Sequence, residues 1–220
     1  TRAAVAGISN AAITAAQSTN PNEVLINTTA NPIDVVYRFI TTANGCSSTA
    51  QDVTVRVNPT PTLSSTLTPP AICSNTAFTY TPTSLTSGAS FTWTRAAVAG
   101  ISNPAITTAQ SANPNEVLIN TTVSPINVVY VFTISANGCS TTQNVTVRVN
   151  PSPALSSTLT PPAICNNTAF TYTPSSATSG ASFTWTRAAV AGISNVPVTT
   201  PQSTNPNEVL INTTANPVDV

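Results

Sequence analysis

Polar and apolar residues alternate in short bursts along this chain. A period of two belongs to half-buried β-strands. Within residues 59–150, Ala77–Thr81 (AFTYT) sets Phe78 and Tyr80 on one face and Thr79 and Thr81 on the other. Phe91–Thr94 (FTWT) repeats the pattern, with Phe91 and Trp93 inward. Glu116–Asn120 (EVLIN) is a short apolar strand. Val128–Ser135 (VVYVFTIS) begins apolar on both faces, which suits a central strand. Val145–Val149 alternates again, with Thr146 and Arg148 outward. Asn137-Gly138 lies between these last two runs, and both residue types accept a positive φ, so a tight hairpin is predicted there. Asn113-Pro114-Asn115 and Ser124-Pro125 mark further turns. No window carries a helical stripe. The alanine-rich TRAAVAGIS follows directly on FTWT and soon reaches Gly100, so it reads as strand and loop.

The same pattern recurs. TRAAVAGIS begins at Thr1, Thr94 and Thr186, spacings of 93 and 92 residues. The extra residue falls just after the first cysteine, where Cys46-SSTAQD-Val53 stands against Cys139-STTQN-Val145. The copies agree at roughly four positions in five, so one module is repeated in tandem. A period near 92 exceeds the roughly 20–45 residues of a solenoid repeat and suits a small independent domain. The proline-rich stretches after VTVRVN, Pro59-Thr60-Pro61 and Pro151-Ser152-Pro153, are the best boundaries. They divide the chain into a partial repeat 1–58 (the C-terminal part of a unit), a complete repeat 59–150 and a partial repeat 151–220 (the N-terminal part). The expectation is a piece of a longer repetitive chain.

Composition narrows the function. Among 220 residues there are 12 formal charges, no histidine and no lysine, and the net charge is zero. Without histidine the commonest general base and zinc ligand is missing, and no lysine substitutes for it at a serine or cysteine nucleophile. The chain is therefore read as no enzyme, with no cofactor and no metal. The zero balance gives no electrostatic footprint for nucleic acid. No apolar run approaches a membrane span. The 41 threonines are explained by their β-branched fit to exposed strand positions. An ice-binding lattice of T-x-T runs would need far shorter, identical coils.

Some seven short strands in 92 residues, with a tryptophan on the third, describe an immunoglobulin-like β-sandwich. In that fold's lettering, A ends near Cys73, B is 77–82, C is 90–96, E is 115–121, F is 127–135 and G is 143–150; 99–112 supplies D or C′. Trp93, its repeat Trp185, Phe91, Tyr80 and Tyr130 are the expected core. Tyr130, near the start of F, is either a tyrosine corner or a plain core tyrosine.

The module resembles the PKD-like, immunoglobulin-like repeats of giant Bacteroidetes cell-surface adhesins, including gliding-motility adhesins of the SprB type. The resemblance rests on Ile72-Cys73-Ser74-Asn75-Thr76, Phe91–Arg95, Glu116–Thr122, Asn137-Gly138-Cys139 and Val145–Pro151. Trp93 is followed by Thr-Arg rather than the Asp-Phe-Gly frequent in PKD domains, so the likeness is to the PKD-like branch. It implies all-β tandem sandwiches arranged head to tail, an extracellular bacterial cell-surface location and export by the type IX system. The implied role is a structural repeat of a long filament or adhesin stalk. Its partners would be neighbouring repeats of the same chain, surface glycans or substratum met through a tip elsewhere, and copies of itself in a homomeric filament. The alternatives are a glycan- or protein-binding module and a laterally assembled surface sheath.

Cys46, Cys73, Cys139 and Cys165 fall two per module, one after the Asn-Gly turn and one before an Asn-Thr turn. In an extracellular chain disulfides are favoured over free buried thiols, and two cysteines without histidine make a poor zinc set. Topology argues against Cys73 with Cys139, because the A–B and F–G turns lie at opposite ends of a sandwich. The favoured reading is an inter-module bond, from the A–B cysteine of one module to the F–G cysteine of the next. The partners of all four would then lie outside this sequence, and the intra-module bond stays as the alternative. Arg95 and Glu116 are read as solvated strand-face charges or as a surface pair worth under about 1 kcal/mol, against a ligand-binding alternative. Asn27, Asn120 and Asn212 head N-T-T sequons and are read as polar loop residues.

Overall fold

The computed structural model describes residues 1–220 and contains strands and no α-helix. Residues 1–58 form β1 (Ile33–Phe39), β2 (Thr42–Ala43), β3 (Cys46–Ser47) and β4 (Gln51–Val57). Residues 59–150 form β5 (Ile72–Cys73), β6 (Thr76–Thr79), β7 (Ser90–Arg95), β8 (Ile106–Gln110), β9 (Asn115–Leu118), β10 (Ile126–Ala136) and β11 (Cys139–Asn150). Residues 151–220 form β12 (Thr168–Thr171), β13 (Trp185–Arg187), β14 (Val198–Gln202) and β15 (Asn207–Leu210).

In residues 59–150 a five-stranded sheet of order β5-β11-β10-β7-β8 packs on the antiparallel pair β6-β9. This is an immunoglobulin-like sandwich. The inward residues come from both sheets: Phe78 and Leu118 from one, and Trp93, Tyr130, Phe132, Ile134, Val145, Val147 and Val149 from the other. Its aromatic centre is tilted rather than stacked, with Tyr130 4.9 Å from Phe78 and 5.2 Å from Trp93, ring centre to ring centre. No residue outside 59–150 belongs to this core.

The longest element is the β10–β11 hairpin, paired without a slip from Ile126↔Val149 to Ala136↔Cys139. Asn137 and Gly138 close it with φ of 52° and 78°, the positive pair a two-residue turn needs. Strand G was expected to begin at 143. It begins at Cys139, because the polar CSTTQN stretch pairs fully with β10 on one side. The uncertain stretch 99–112 resolves as C′: β8 is antiparallel to β7.

The first strand, A, is mostly a non-ladder segment that runs parallel to β11. Thr141 Oγ1 donates to Pro61 O, Leu63 N to Gln143 Oε1, and Thr146 N to Leu67 O at 2.9 Å. The segment ends in the parallel pairing Ile72↔Val149 and Asn150↔Cys73. Prolines remove backbone donors here, and side chains of β11 take over part of the bonding.

The extra residue of the first copy is visible as a register shift. β1 and β4 pair as far as Phe39↔Gln51, but the tip resumes at Thr42↔Ser47 one step out of phase. This two-against-one count is a β-bulge. Asn58 is the single residue between β4 and Pro59, and Pro59 is fully buried. Asn58 Nδ2 donates to Asn137 O at 2.7 Å, so the residue that follows β4 touches the β10–β11 turn.

Candidate functional site

The most built feature of the module is a buried charge cluster. Arg95 ends the inward row Phe91, Trp93, Arg95 on β7 and is 1% exposed. Its Nε and Nη2 each donate to Glu116 on β9 at 2.9 Å, Nη1 donates to Ala96 O at 3.1 Å, and Nη2 also reaches Pro104 O at 2.7 Å. The Tyr130 hydroxyl donates to Glu116 Oε2 at 2.7 Å. This corrects one expectation and decides between two open alternatives. Arg95–Glu116 is not a surface pair, because the period-two row carries Arg95 between the sheets. Tyr130 makes no tyrosine corner, because its hydroxyl goes to a carboxylate rather than to upstream backbone.

The cluster recurs as Arg2, Glu23 and Tyr37 in the first copy and as Arg187 with Glu208 in the third. The Glu116 carboxylate raises the Arg95 pKa through its hydrogen bonds, against the opposing cost of burial. Burial first, and then the bond to Glu116, push the Tyr130 hydroxyl far above its ordinary range. Glu23 is held below the carboxylate range by hydrogen bonds from Arg2 and then Tyr37. A guanidinium locked in this way is a structural tie across the two sheets. Four of its five N–H groups are committed, and burial closes the group to a ligand.

A second polar tie surrounds Asn120, which is 6% exposed. Its Nδ2 donates to Ser124 O and Val149 O, and its Oδ1 accepts from Thr122 N and Thr122 Oγ1, all at 2.8–2.9 Å. The sequon asparagine is therefore a buried bracket between β9 and β11 rather than a loop residue. Beside it, Gly100 has φ 84°, and a Cβ there would stand 2.6 Å from both Ile126 Cδ1 and Thr122 Cγ2. The glycine of TRAAVAGIS is fixed by both constraints.

Of the expected core, Tyr130, Trp93 and Tyr80 are buried. Trp93 Nε1 donates to Ala112 O at 2.6 Å, and the Tyr80 hydroxyl binds Thr66 O and Ser65 Oγ. Phe91 lies at the rim, half-buried against the cluster, because it stands near the end of β7. Trp185 is only half-buried: residues 151–220 hold no counterpart of the β10–β11 hairpin that covers Trp93. Its Nε1 bond to Thr204 O matches that of Trp93.

The four cysteines are unpaired. Cys73 sits beside Asn150, at the far end of β11 from Cys139. Cys46 lies at the β2–β3 turn, Cys165 just before β12. No three His, Cys, Asp or Glu side chains gather as a metal set. An open depression lies at the hairpin end, lined by Gly88, Ser90, Ser135, Asn137, Gly138 and Cys139. It is polar and holds no ionisable carboxylate or base.

A two-sheet sandwich tied by a buried ion pair defines an immunoglobulin-like domain. The chain belongs to the PKD-like domain family, whose model matches residues 3–61 and 70–153. No curated protein matches it. Domains of this family are typically non-catalytic and commonly extracellular. No helix here is long and apolar enough to cross a membrane.

Proposed function

We propose that the chain is a structural repeat of a long bacterial cell-surface filament or adhesin stalk, serving surface adhesion or gliding motility. Its repeat unit is 59–150, joined head to tail with its neighbours. The carrying observation is the load path. Tension enters at Pro59 and leaves at Asn150, and between them the A segment lies parallel to β11. Pulling the ends apart loads the Pro61–Thr141, Leu63–Gln143, Leu67–Thr146 and Ser74–Asn150 bonds together, in shear. Bonds loaded together resist more than bonds opened one by one. Asn58 with buried Pro59 makes the junction short and packed rather than a loose tether.

Burial of Trp93 argues against an aromatic glycan platform. A lateral sheath draws support from a different feature. Val117 and Ile119 are exposed at β9, as are Val24 and Ile26 in the first copy and Val209 and Ile211 in the third. Electron microscopy of source cells labelled with an antibody to 59–150 separates the readings. A single-stranded fibre decorated about every 40 Å, the length of a twelve-residue strand, is expected. A multi-stranded layer would favour the sheath, and label confined to non-fibrous material would overturn both.

A further inference from the structure

We infer that consecutive modules are joined by a disulfide between the cysteine that ends the A segment of one module and the cysteine that follows the Asn-Gly turn of the next. The inference rests on modules continuing in tandem, and its test does not depend on what the fibre is for.

Within one module the bond cannot form. Cys73 pairs across from Asn150, and Cys139 opens the same twelve-residue β11. Eleven strand steps separate the two levels, about 36 Å at ~3.3 Å each. A disulfide tolerates about 7 Å between α-carbons.

Between modules the same geometry brings the two classes together. Asn58 is the first copy's equivalent of Asn150, the residue beside which the A-segment cysteine sits. Asn58 donates to Asn137 O, two residues before Cys139. One end of a module therefore presents its A-segment cysteine at the contact where the next module presents its turn cysteine. Both classes are reachable: Cys73 and Cys165 are exposed, and half-exposed Cys139 lines the rim of the depression at the hairpin end. Cys46, Cys139, Cys73 and Cys165 occupy four different module ends, so no two of them share a junction. Their partners belong to flanking copies of the repeat.

The oxidant required is a disulfide, either glutathione disulfide or a disulfide oxidoreductase. One cysteine thiolate attacks it, forming a mixed disulfide and releasing one thiol. The second cysteine thiolate then displaces the other. The two cysteines lose two protons and two electrons and gain one S–S bond, and the oxidant's disulfide becomes two thiols.

The test uses two copies of 59–150 in series, joined Asn-Pro as in the native chain. Each copy carries its own core and all its strand pairings. With C139S in the first copy and C73S in the second, only the junction pair remains. In a glutathione redox buffer this protein should lose both thiols as a monomer, losing two hydrogens by intact mass. The mirror variant, C73S in the first copy and C139S in the second, should keep both thiols within the monomer. So should a single copy. Tryptophan fluorescence reports folding in all three. Monomeric junction protein that keeps both thiols while folded would overturn the inference, as would a Cys73–Cys139 bond in the single copy. Neither result would bear on whether the native protein is a fibre.

Discussion

Arg95 carries the sharpest lesson at the scale of single residues. The alternation that placed Phe91 and Trp93 inward also placed Arg95 inward, on the same parity. Charge made it look like a surface residue, and only the position of Glu116 across the sheets shows why burial is tolerated. Removing one partner leaves the other charged and buried, at a cost of about 3–5 kcal/mol. In the isolated 59–150 repeat, R95M or E116Q should therefore lower stability by that order in urea denaturation. The double variant R95M/E116L should recover most of the loss, and equal losses in single and double variants would refute the pairing. Acid and alkali should act through the same clusters. Glu23 has its pKa lowered by Arg2, so its contribution is present above its ordinary value near 4.5 and is lost as pH falls through the lower folded value. Tyr130 is raised, so its contribution is complete below the ordinary value of 10 and is lost as pH climbs above it. With no histidine between, the thermal midpoint of the whole 220-residue chain, followed by circular dichroism, should be level from about pH 5 to about 9 and fall on both sides. Y130F should soften only the alkaline fall.

Elements were legible where they alternate and obscure where they do not. β7, β10 and the Asn137-Gly138 turn follow from period and turn chemistry alone. The first half of β11 did not, because Cys139–Asn144 is polar on both faces and carries no period. Its strand character comes from pairing with β10 and from side-chain bonds to the A segment, both of which are long-range. The end of A near Cys73 was legible, but its proline-rich start was not, since those prolines read as a module boundary while the backbone is the parallel neighbour of β11. These side-chain bonds predict a mechanical phenotype. T141V with Q143A should lower the force needed to unfold the module when it is pulled from its ends by single-molecule stretching. Its unfolding free energy from urea denaturation should fall by only about 1–2 kcal/mol in total, the sum of two ordinary hydrogen bonds. A loss of thermodynamic stability with unchanged force would remove the A segment from the load path.

At the scale of the whole molecule, repetition was the plainest message of the sequence; it also suggested which module ends would meet, but not the residues that touch. No pattern in the chain foretells that Asn58 reaches Asn137, because the bond joins a strand end to a turn 79 residues away. The one-residue insertion after Cys46 could be located from the sequence; its conversion into a bulge at the hairpin tip could not. That bulge has a consequence for shape. Identical joints, each applying the same rotation and translation, can only generate a helix. In the proposed stalk the hairpin tip would form one face of each joint, and a bulge there increases local twist. A copy that carries the insertion is thus a place where the pitch of such a helix changes, and the distribution of inserted and uninserted copies along the protein would write its curvature.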